Sequence, residues 1–319
     1  MRTVSRTIPI GISACLVGQP VRFNGGHKHS SLCTAQLGPA FTLVPFCPEV
    51  AVGLDTPRQP IRLVGEPQAP RVLGSQDPTL DLTEPLQRYG AQVAANHPEL
   101  CGFILMQKSP SCGLQRVKLY QADGQLQPKT SSGAFASALR QANPWLPIEE
   151  EGRLHDPVLR ENFITRVEVY AQWRQQLEPQ LSAAALLAFH ARHKYLLLAH
   201  HPESYRRLGQ RLANLRRADL GATAQAYFQE LMEALSRPAS RQRHSNALEH
   251  IAGHFKRALN PAEKHELAEL IGHYRQGLVP LVVPITLLKH HLLKHPDSYL
   301  QQQSYLQPHP PELSLRNAI

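Results

Sequence analysis

Short apolar runs bounded by glycine or proline dominate the first half of the chain. Three of them, at 8–12, 41–44 and 103–106, have the length and composition of buried strands. Amphipathic stretches at 84–96 and 133–141 alternate with such runs, as helices alternate with strands in βαβ units. The pattern predicts an α/β domain over residues 1–150, with a Rossmann-like, mostly parallel sheet.

The second half of the chain has a different pattern. Long amphipathic segments follow one another at 157–177, 181–200, 203–215, 222–235, 241–259, 261–276 and 279–295. Pro202 and Pro261 lie near predicted helix starts, where proline is tolerated, whereas Pro280 and Pro284 are expected to delay or kink the last helix. With 143–151 as a connector, the pattern predicts an all-helical second domain over residues 151–319.

Length and composition narrow the class of protein. A chain of 319 residues is long enough for two domains that each bury a core. We find no apolar run of membrane-spanning length and no secretory signal pattern, so we expect a cytoplasmic protein without a membrane partner. The five cysteines are odd in number and widely separated, which is a poor disulfide framework. A reducing compartment would keep these thiols available for metal.

The net charge of +9 favours anionic partners. Both halves of the chain carry an excess of Lys and Arg and neither contains a dedicated basic block, so nucleic-acid binding is permitted but not favoured. The sequence contains no dinucleotide fingerprint, no phosphate-binding loop and no Gly-x-Ser-x-Gly nucleophile motif. A small-molecule site built from other residues is the preferred interpretation.

Three cysteines stand in turn-like sequences that follow the apolar runs. Cys15, Cys47 and Cys112 are flanked by Pro, Gly and Ser, whereas Cys33 and Cys101 lie in apolar segments and are assigned to packing. If the three predicted strands are neighbours, the three thiols meet at the carboxyl edge of the sheet, where open α/β sheets bind ligands. Three thiolates can hold a 4Fe–4S cluster and leave one iron without a protein ligand.

Two other interpretations of these cysteines stay open at this point. Free cysteine is often a small buried hydrophobe and need not form a site. Cys112 could also be a nucleophile, because Lys108 lies four residues before it and a nearby cation lowers a thiol pKa. That alternative gives Cys15 and Cys47 no role.

Histidines are concentrated in the helical half. His190 with His193, and His250 with His254, have the spacing that places two imidazoles on one helix face, the minimum for a metal pair. No acidic partner completes a known zinc pattern around either pair. We therefore interpret these histidines as a solvated or interdomain face.

Three separated motifs, in this order, resemble the thiouracil desulfidase family over about the first 150 residues. They are Ser-Ala-Cys-Leu-Val-Gly at 13–18 with Val-Arg-Phe-Asn-Gly at 21–25, Cys-Pro-Glu at 47–49 with Gly-Leu at 53–54 and Pro-Arg at 57–58, and Lys-Ser-Pro-Ser-Cys-Gly at 108–113. The helical half resembles a domain of uncertain function that is frequently fused to this one. Phe23 and Asn24 stand where Tyr and Asp are common in the family.

The resemblance implies a 4Fe–4S cluster held by Cys15, Cys47 and Cys112. It also implies an enzyme that removes sulfur from a thiolated pyrimidine nucleobase, as in conversion of 2-thiouracil to uracil and sulfide, without net redox change. On this interpretation the open iron binds the thiocarbonyl sulfur and activates its carbon toward water.

Four further residues are candidates for the catalytic site. Glu49 is expected to move protons, and Ser109 and Ser111 to orient the base or bond to cluster sulfur. Lys108, with Arg22 and Arg58, is expected to favour a developing anion. The alternatives are that Glu49 only caps a helix start, that the serines only hold their own loop, and that the cations pair with surface acids.

A binding or sensor protein is the alternative function. In that case the cluster is structural, and the helical half engages a partner or nucleic acid. The combination of an open coordination site with a nearby carboxylate favours the enzyme.

Overall fold

The computed structural model describes residues 8–319. The chain divides into two compact units between His155 and Asp156. The first unit combines strands and helices, and the second is helical. The predicted fold class, an α/β domain followed by an all-α domain, is therefore confirmed.

The described part of the first unit contains eight strands and three α-helices. The strands are β1 (Ile8–Ser13), β2 (Phe41–Phe46), β3 (Ile61–Glu66), β4 (Ala69–Gly74), β5 (Phe103–Leu105), β6 (Val117–Tyr120), β7 (Leu126–Ser131) and β8 (Ile148–Glu150). The helices are α1 (Pro48–Ala51), α2 (Thr83–Asn96) and α3 (Ala134–Ala142). The two helices predicted in this half are thus α2 and α3.

A parallel four-stranded sheet has the order β2-β1-β5-β8. Ile10 lies opposite Leu43 and Ile12 opposite Ile104, so β1 is flanked by β2 and β5 with all three running in the same direction. This confirms that the three predicted strands are neighbours. Their carboxyl ends therefore meet at one edge of the sheet.

The fourth strand of this sheet corrects the predicted connector. β8 lies within 143–151 and pairs with β5 in parallel register. The two glutamates of β8 are not typical of a buried strand, so the pattern did not predict it. The buried Glu150 carboxylate accepts hydrogen bonds from the backbone N–H groups of Leu114 and Gln115. An acidic residue fits this strand end because its oxygens satisfy buried donors.

A second, mixed sheet with the order β4-β3-β6-β7 was not predicted. Its two antiparallel hairpins are joined by parallel pairing of β3 with β6. Residues Leu63, Val72 and Leu119 of this sheet are buried in one cluster with Leu86 of α2. The sheet thus has its own small core and a helix against it.

Close packing at the centre of the parallel sheet requires glycine in β1. Gly11 lies opposite Phe103, and a Cβ at Gly11 would lie 2.4 Å from the Phe103 ring. The ring is fully buried between Phe46 and Phe135, with centroids 5.4 and 5.8 Å away. The aromatic cluster therefore packs β2 and β5 against α3, and Gly11 lets β1 approach the Phe103 ring.

The second unit consists of helices close to the predicted segments. They are α4 (Pro157–Gln176), α5 (Ala183–His200), α6 (Pro202–Ala213), α7 (Leu220–Leu235), α8 (Arg241–Ala252), α9 (Pro261–Gln276), α10 (Val282–Lys294) and α11 (Ser298–Gln301). A capping box between Asn260 and Glu263 begins α9. α10 begins two residues after Pro280, with Pro284 in its first turn, as delay by proline predicts. In the part of the chain from residue 8 onward, no helix is both long and apolar enough to cross a membrane.

The histidines were predicted to form a solvated or interdomain face, and the solvated alternative is wrong for the first pair. His193 is buried and its ring nitrogens share hydrogen bonds with the Phe189 carbonyl and the Gln172 side chain. His190 shares one with the Tyr227 hydroxyl. Burial lowers the pKa of both imidazoles to about 4. Each ring is thus a neutral, hydrogen-bonded part of the helical unit.

Candidate functional site

A cavity of about 350 Å³ lies where the strands of the parallel sheet end. It is lined by six of the seven predicted site residues, which are Cys15, Cys47, Glu49, Lys108, Ser109 and Cys112. The seventh, Ser111, is fully buried and donates a hydrogen bond to Glu49. Apolar side chains, among them Phe23, Phe46 and Ile61, complete the lining.

Local structure explains how the three cysteines reach one cavity. Cys15 lies in the 3₁₀ turn Ala14–Val17 that directly follows β1, and Gly18 ends this turn with a φ of 91°. Cys47 lies between β2 and α1. Cys112 lies in the loop that follows β5. Because the three strands are parallel neighbours, these turns lie side by side.

Burial keeps the free thiols protonated. It is the main cause that raises the pKa of Cys15 to about 11 and the pKa values of Cys47 and Cys112 above their usual range. The Glu49 charge raises the pKa of Cys112 further. This argues against Cys112 as a free thiolate nucleophile.

The three cysteines are the type of ligand that iron–sulfur clusters take. Among residues 8–319, no three His, Cys, Asp or Glu side chains are close enough together to hold one ion. The ligands of an iron–sulfur cluster bind different iron atoms, so their thiolates surround a volume instead of a point. Three thiols around one cavity match that requirement.

Glu49 is held by two partners at the cavity wall. Its Oε1 accepts a hydrogen bond from Ser111 Oγ at 2.6 Å. Its Oε2 accepts from Arg58 Nε at 3.0 Å and from Nη2 at 2.7 Å. In this ion pair the Glu49 side chain is 16% exposed and the Arg58 side chain is 6% exposed. Glu49 lies in the first turn of α1, but its hydrogen bonds go to side chains of other segments. Its role is therefore not limited to capping the helix.

Arg58 has a positioning role that sequence reasoning missed. Besides Glu49, its Nη2 donates to the Val21 carbonyl at 2.8 Å, and its own N–H donates to the Phe23 carbonyl at 2.8 Å. The alternative that Arg58 pairs with a surface acid is therefore wrong, since its partner is the half-buried Glu49 at the cavity wall. The sequence signal was only the Pro-Arg pair at 57–58.

The two serines have different hydrogen bonds. Ser109 Oγ accepts from the N–H groups of Ser111 at 3.2 Å and Cys112 at 3.1 Å, so it holds its own loop. Ser111 Oγ lies 2.9 Å from Ser109 Oγ. Because a hydroxyl has one proton and that of Ser111 points to Glu49, Ser109 donates to Ser111. The result is a directed chain from Ser109 through Ser111 to the carboxylate.

Ser13 is a further site residue that pattern analysis missed. It is the last residue of β1, lines the cavity, and its Oγ accepts from the Met106 N–H at 2.9 Å. A hydrogen bond from Ser13 also favours the thiolate form of Cys112, lowering its pKa against the effect of burial. Its position at a strand end beside Cys15 was the available signal.

Two cations at the cavity have no acidic partner within residues 8–319. Arg22 is half-buried and lies 5.7 Å from the centroid of the Phe23 ring. Lys108 is exposed and has a φ of 61°, in the left-handed region that non-glycine residues seldom adopt. Both therefore give the cavity positive charge that Glu49, already paired with Arg58, does not neutralise.

An α/β unit with three thiols and a bonded carboxylate around one pocket belongs to the class of small-molecule sites at a sheet edge. A family model described as 2-thiouracil desulfurase matches residues 10–151, and the chain belongs to this family. A second family model, described as a protein of unknown function (DUF1722), matches residues 194–310. The family resemblance of both halves is therefore confirmed.

Each of the following relatives matches a little less than half of this chain. YbgA, an uncharacterized protein of Escherichia coli (strain K12), is 35% identical over 142 residues, which are 44% of this chain and 84% of YbgA. YbbK, an uncharacterized protein of Bacillus subtilis (strain 168), is 31% identical over 146 residues, covering 44% of this chain and 95% of YbbK. A solved structure, the 4Fe-4S-dependent thiouracil desulfidase TudS (DUF523Vcz), is 30% identical with a TM-score of 0.38, covering 49% of this chain and 99% of that one.

The start of α3 supports the loop that carries Cys112. The N–H groups of Ala134 and Ala136 donate to the carbonyls of Pro110 and Ser111. A Cβ at Gly133 would lie 2.5 Å from the Ser111 carbonyl oxygen and 2.6 Å from its carbon. Only glycine lets helix and loop approach this closely.

Gly133→Ala should therefore destabilise the first unit by roughly 1–3 kcal/mol, because backbone atoms of the loop must move. Calorimetric unfolding of the full-length protein measures the effect. Gly272→Ala is the control, since its Cβ would meet nothing within 4 Å in α9. It should gain up to about 1 kcal/mol from helix propensity. Equal stability of Gly133→Ala and wild type would show that the loop yields freely.

Proposed function

We propose that the first unit is a desulfidase that hydrolyses the C=S bond of a thiolated pyrimidine nucleobase such as 2-thiouracil, with a 4Fe–4S cluster held by Cys15, Cys47 and Cys112. Membership of the 2-thiouracil desulfurase family supports the reaction class. The observation that carries the proposal is the convergence of three thiols and the hydrogen-bonded Glu49 carboxylate on one cavity. The proposal places the reaction in the domain that pattern analysis set at residues 1–150.

The proposed reaction is balanced without a redox partner. Water supplies the oxygen of the new C=O bond, and the C=S bond breaks. Both water protons leave with sulfur as hydrogen sulfide, so 2-thiouracil and water give uracil and hydrogen sulfide. The site must therefore bind a flat ring, hold water near its carbon and move two protons.

The cluster, when bound by three thiolates, supplies an iron that can take a soft sulfur ligand and withdraw electron density from the C=S carbon. The thiols must lose their protons to bind it. Arg22 and the Ser13 hydroxyl are placed to stabilise this charge, because they favour the thiolates of Cys15 and Cys112 respectively. Cys15, Cys47 and Cys112 would thus hold the cluster, with Arg22 and Ser13 stabilising their thiolates.

Glu49 is the proton acceptor in this proposal. Its carboxylate lines the cavity and has lone pairs beyond those that Arg58 and Ser111 occupy. Arg58 fixes Oε2 while Oε1 faces Ser111, so the carboxylate has one orientation. When Glu49 takes a proton from water, the Ser111 hydroxyl can turn to accept from it. The Ser109–Ser111–Glu49 chain then keeps the proton beside the substrate for delivery to the leaving sulfur.

The remaining lining suits the substrate and product. Phe23 and Ile61 offer apolar surface for a flat ring, and the volume lies at the small end of the range for ligand pockets. Arg22 and Lys108 supply positive charge that favours an anion developing on the ring or on sulfur. A single nucleobase fits these features better than a folded nucleic-acid segment.

The ligand assignment predicts which cysteines matter. Replacing Cys15, Cys47 or Cys112 by Ser should sharply lower iron and acid-labile sulfide in anaerobically purified protein, because each removes a thiolate ligand. Cys33→Ser and Cys101→Ser are matched controls, since both cysteines are buried but do not line the cavity. Full iron content in Cys47→Ser protein would overturn the three-thiolate assignment.

The role of Glu49 predicts a loss of turnover without loss of the cluster. Glu49→Gln keeps the side-chain shape and one oxygen for Ser111, but it loses the charge paired with Arg58 and cannot accept the proton, so kcat for sulfide release per cluster should fall about 10²- to 10⁴-fold. Iron content per chain is measured in parallel. Glu66→Gln, an exposed position on β3 outside the cavity, is the control and should turn over normally. Normal turnover of cluster-loaded Glu49→Gln would reduce Glu49 to a structural partner of Arg58.

A further inference from the structure

A further cavity, with a mostly apolar lining and a few polar groups, lies in the helical unit between α10 and the segment that follows α11. Its volume is about 110 Å³, enough for a small ion but not for a nucleobase site of the first unit's size. Val282, Ile285 and Lys289 of α10 line one side, and His309, Ser314 and Arg316 line the other. None of these residues takes part in the proposed desulfidase.

Two cationic side chains, Lys289 and Arg316, and the imidazole of His309 line this cavity. Lys289 and Arg316 are close enough for the Arg316 charge to lower the pKa of Lys289, an effect second to burial. Arg316 is 6% exposed and His309 is 8% exposed, so both are largely removed from water. Burial of like charges is costly unless a counter-charge is present.

One carboxylate balances only part of this charge. Glu161 Oε1 accepts a hydrogen bond from Arg316 Nε at 3.1 Å. It also lies 3.7 Å from His309 Nε2, which is longer than a normal hydrogen bond, although this contact still helps to lower the Glu161 pKa. Glu312 is in the same segment but is exposed and does not line the cavity. Lys289 donates to the neutral Gln307 side chain and has no acidic partner within residues 8–319.

Several buried side-chain nitrogens of residues that line this cavity have no hydrogen-bond partner within residues 8–319. Arg316 Nη2 and both ring nitrogens of His309 are buried and make no hydrogen bond within residues 8–319. Arg316 Nη1, by contrast, donates to the Tyr305 carbonyl. The guanidinium is therefore held by Nε and Nη1, and Nη2 has no acceptor within residues 8–319. Buried donors of this kind are normally satisfied, and an anion with several oxygens would satisfy them together.

We propose that the cavity lined by Lys289, His309 and Arg316 is a binding site for a phosphate group. A tetrahedral oxyanion accepts from Arg316 Nη2, the Lys289 ammonium and a His309 ring N–H at once, and its charge offsets the excess of cations over Glu161. The apolar side chains Val282 and Ile285 lower the local dielectric, which strengthens these contacts. Free phosphate and the phosphate of a small monoester share this chemistry.

Calorimetric titration of the full-length protein with inorganic phosphate, at neutral pH and constant ionic strength, tests the site. We expect saturable 1:1 binding that chloride at equal ionic strength does not reproduce. Lys289→Gln should weaken binding about 10- to 100-fold, the factor for one charge-assisted hydrogen bond. Lys289→Arg keeps the charge and should retain binding. A parallel titration with methyl phosphate separates the sources, since binding of both ligands assigns the site to a phosphate group and binding of phosphate alone assigns it to the free ion.

The control is Lys294→Gln on the same helix. Lys294 is exposed, lies near Glu263 and does not line the cavity, so this variant should bind phosphate like wild type. Absence of saturable binding of either ligand overturns the proposal. Equal phosphate affinity of Lys289→Gln and wild type also overturns it, because the anion would then bind elsewhere.

Discussion

The Glu49–Arg58 ion pair connects the three chain segments that carry the cysteines. Glu49 lies two residues after Cys47, and its other oxygen binds Ser111, the neighbour of Cys112. Arg58 reaches the Val21 carbonyl on the segment that follows Cys15. Three turns that the parallel sheet only places side by side are thereby fixed relative to one another.

This pair is costly to form and more costly to break. Removing two charges from water opposes their attraction, and loss of one partner from a buried pair typically costs about 3–5 kcal/mol. The hydrogen bonds that Arg58 donates offset part of this desolvation cost; they go to Glu49, Asp55, Thr56 and Val21. Apolar side chains in place of both partners are often as stable, so stability alone does not explain the pair; in the proposed function Glu49 transfers protons.

Much of the site could be predicted because its residues follow strands with clear patterns. Parallel neighbours bring their following turns together, so Cys15, Cys47 and Cys112 were brought to one cavity by topology. β8 could not be predicted because it is short and acidic and pairs with β5, which is distant in sequence. The mixed sheet could not be predicted because its two hairpins are joined by pairing of β3 with β6, which are also distant in sequence. The Arg58–Glu49 pairing, the Ser13 contacts and the burial of His193 likewise depend on tertiary packing that local pattern does not encode.

In the proposed reaction, water adds across a C=S bond at this cavity. The decisive experiment incubates cluster-loaded, full-length protein anaerobically with 2-thiouracil in ¹⁸O-labelled water and measures sulfide and the mass of uracil together. We expect one sulfide per uracil and one heavy oxygen in each uracil formed. Absence of sulfide from cluster-loaded protein, or uracil without the label, would show that the reaction does not occur in this way.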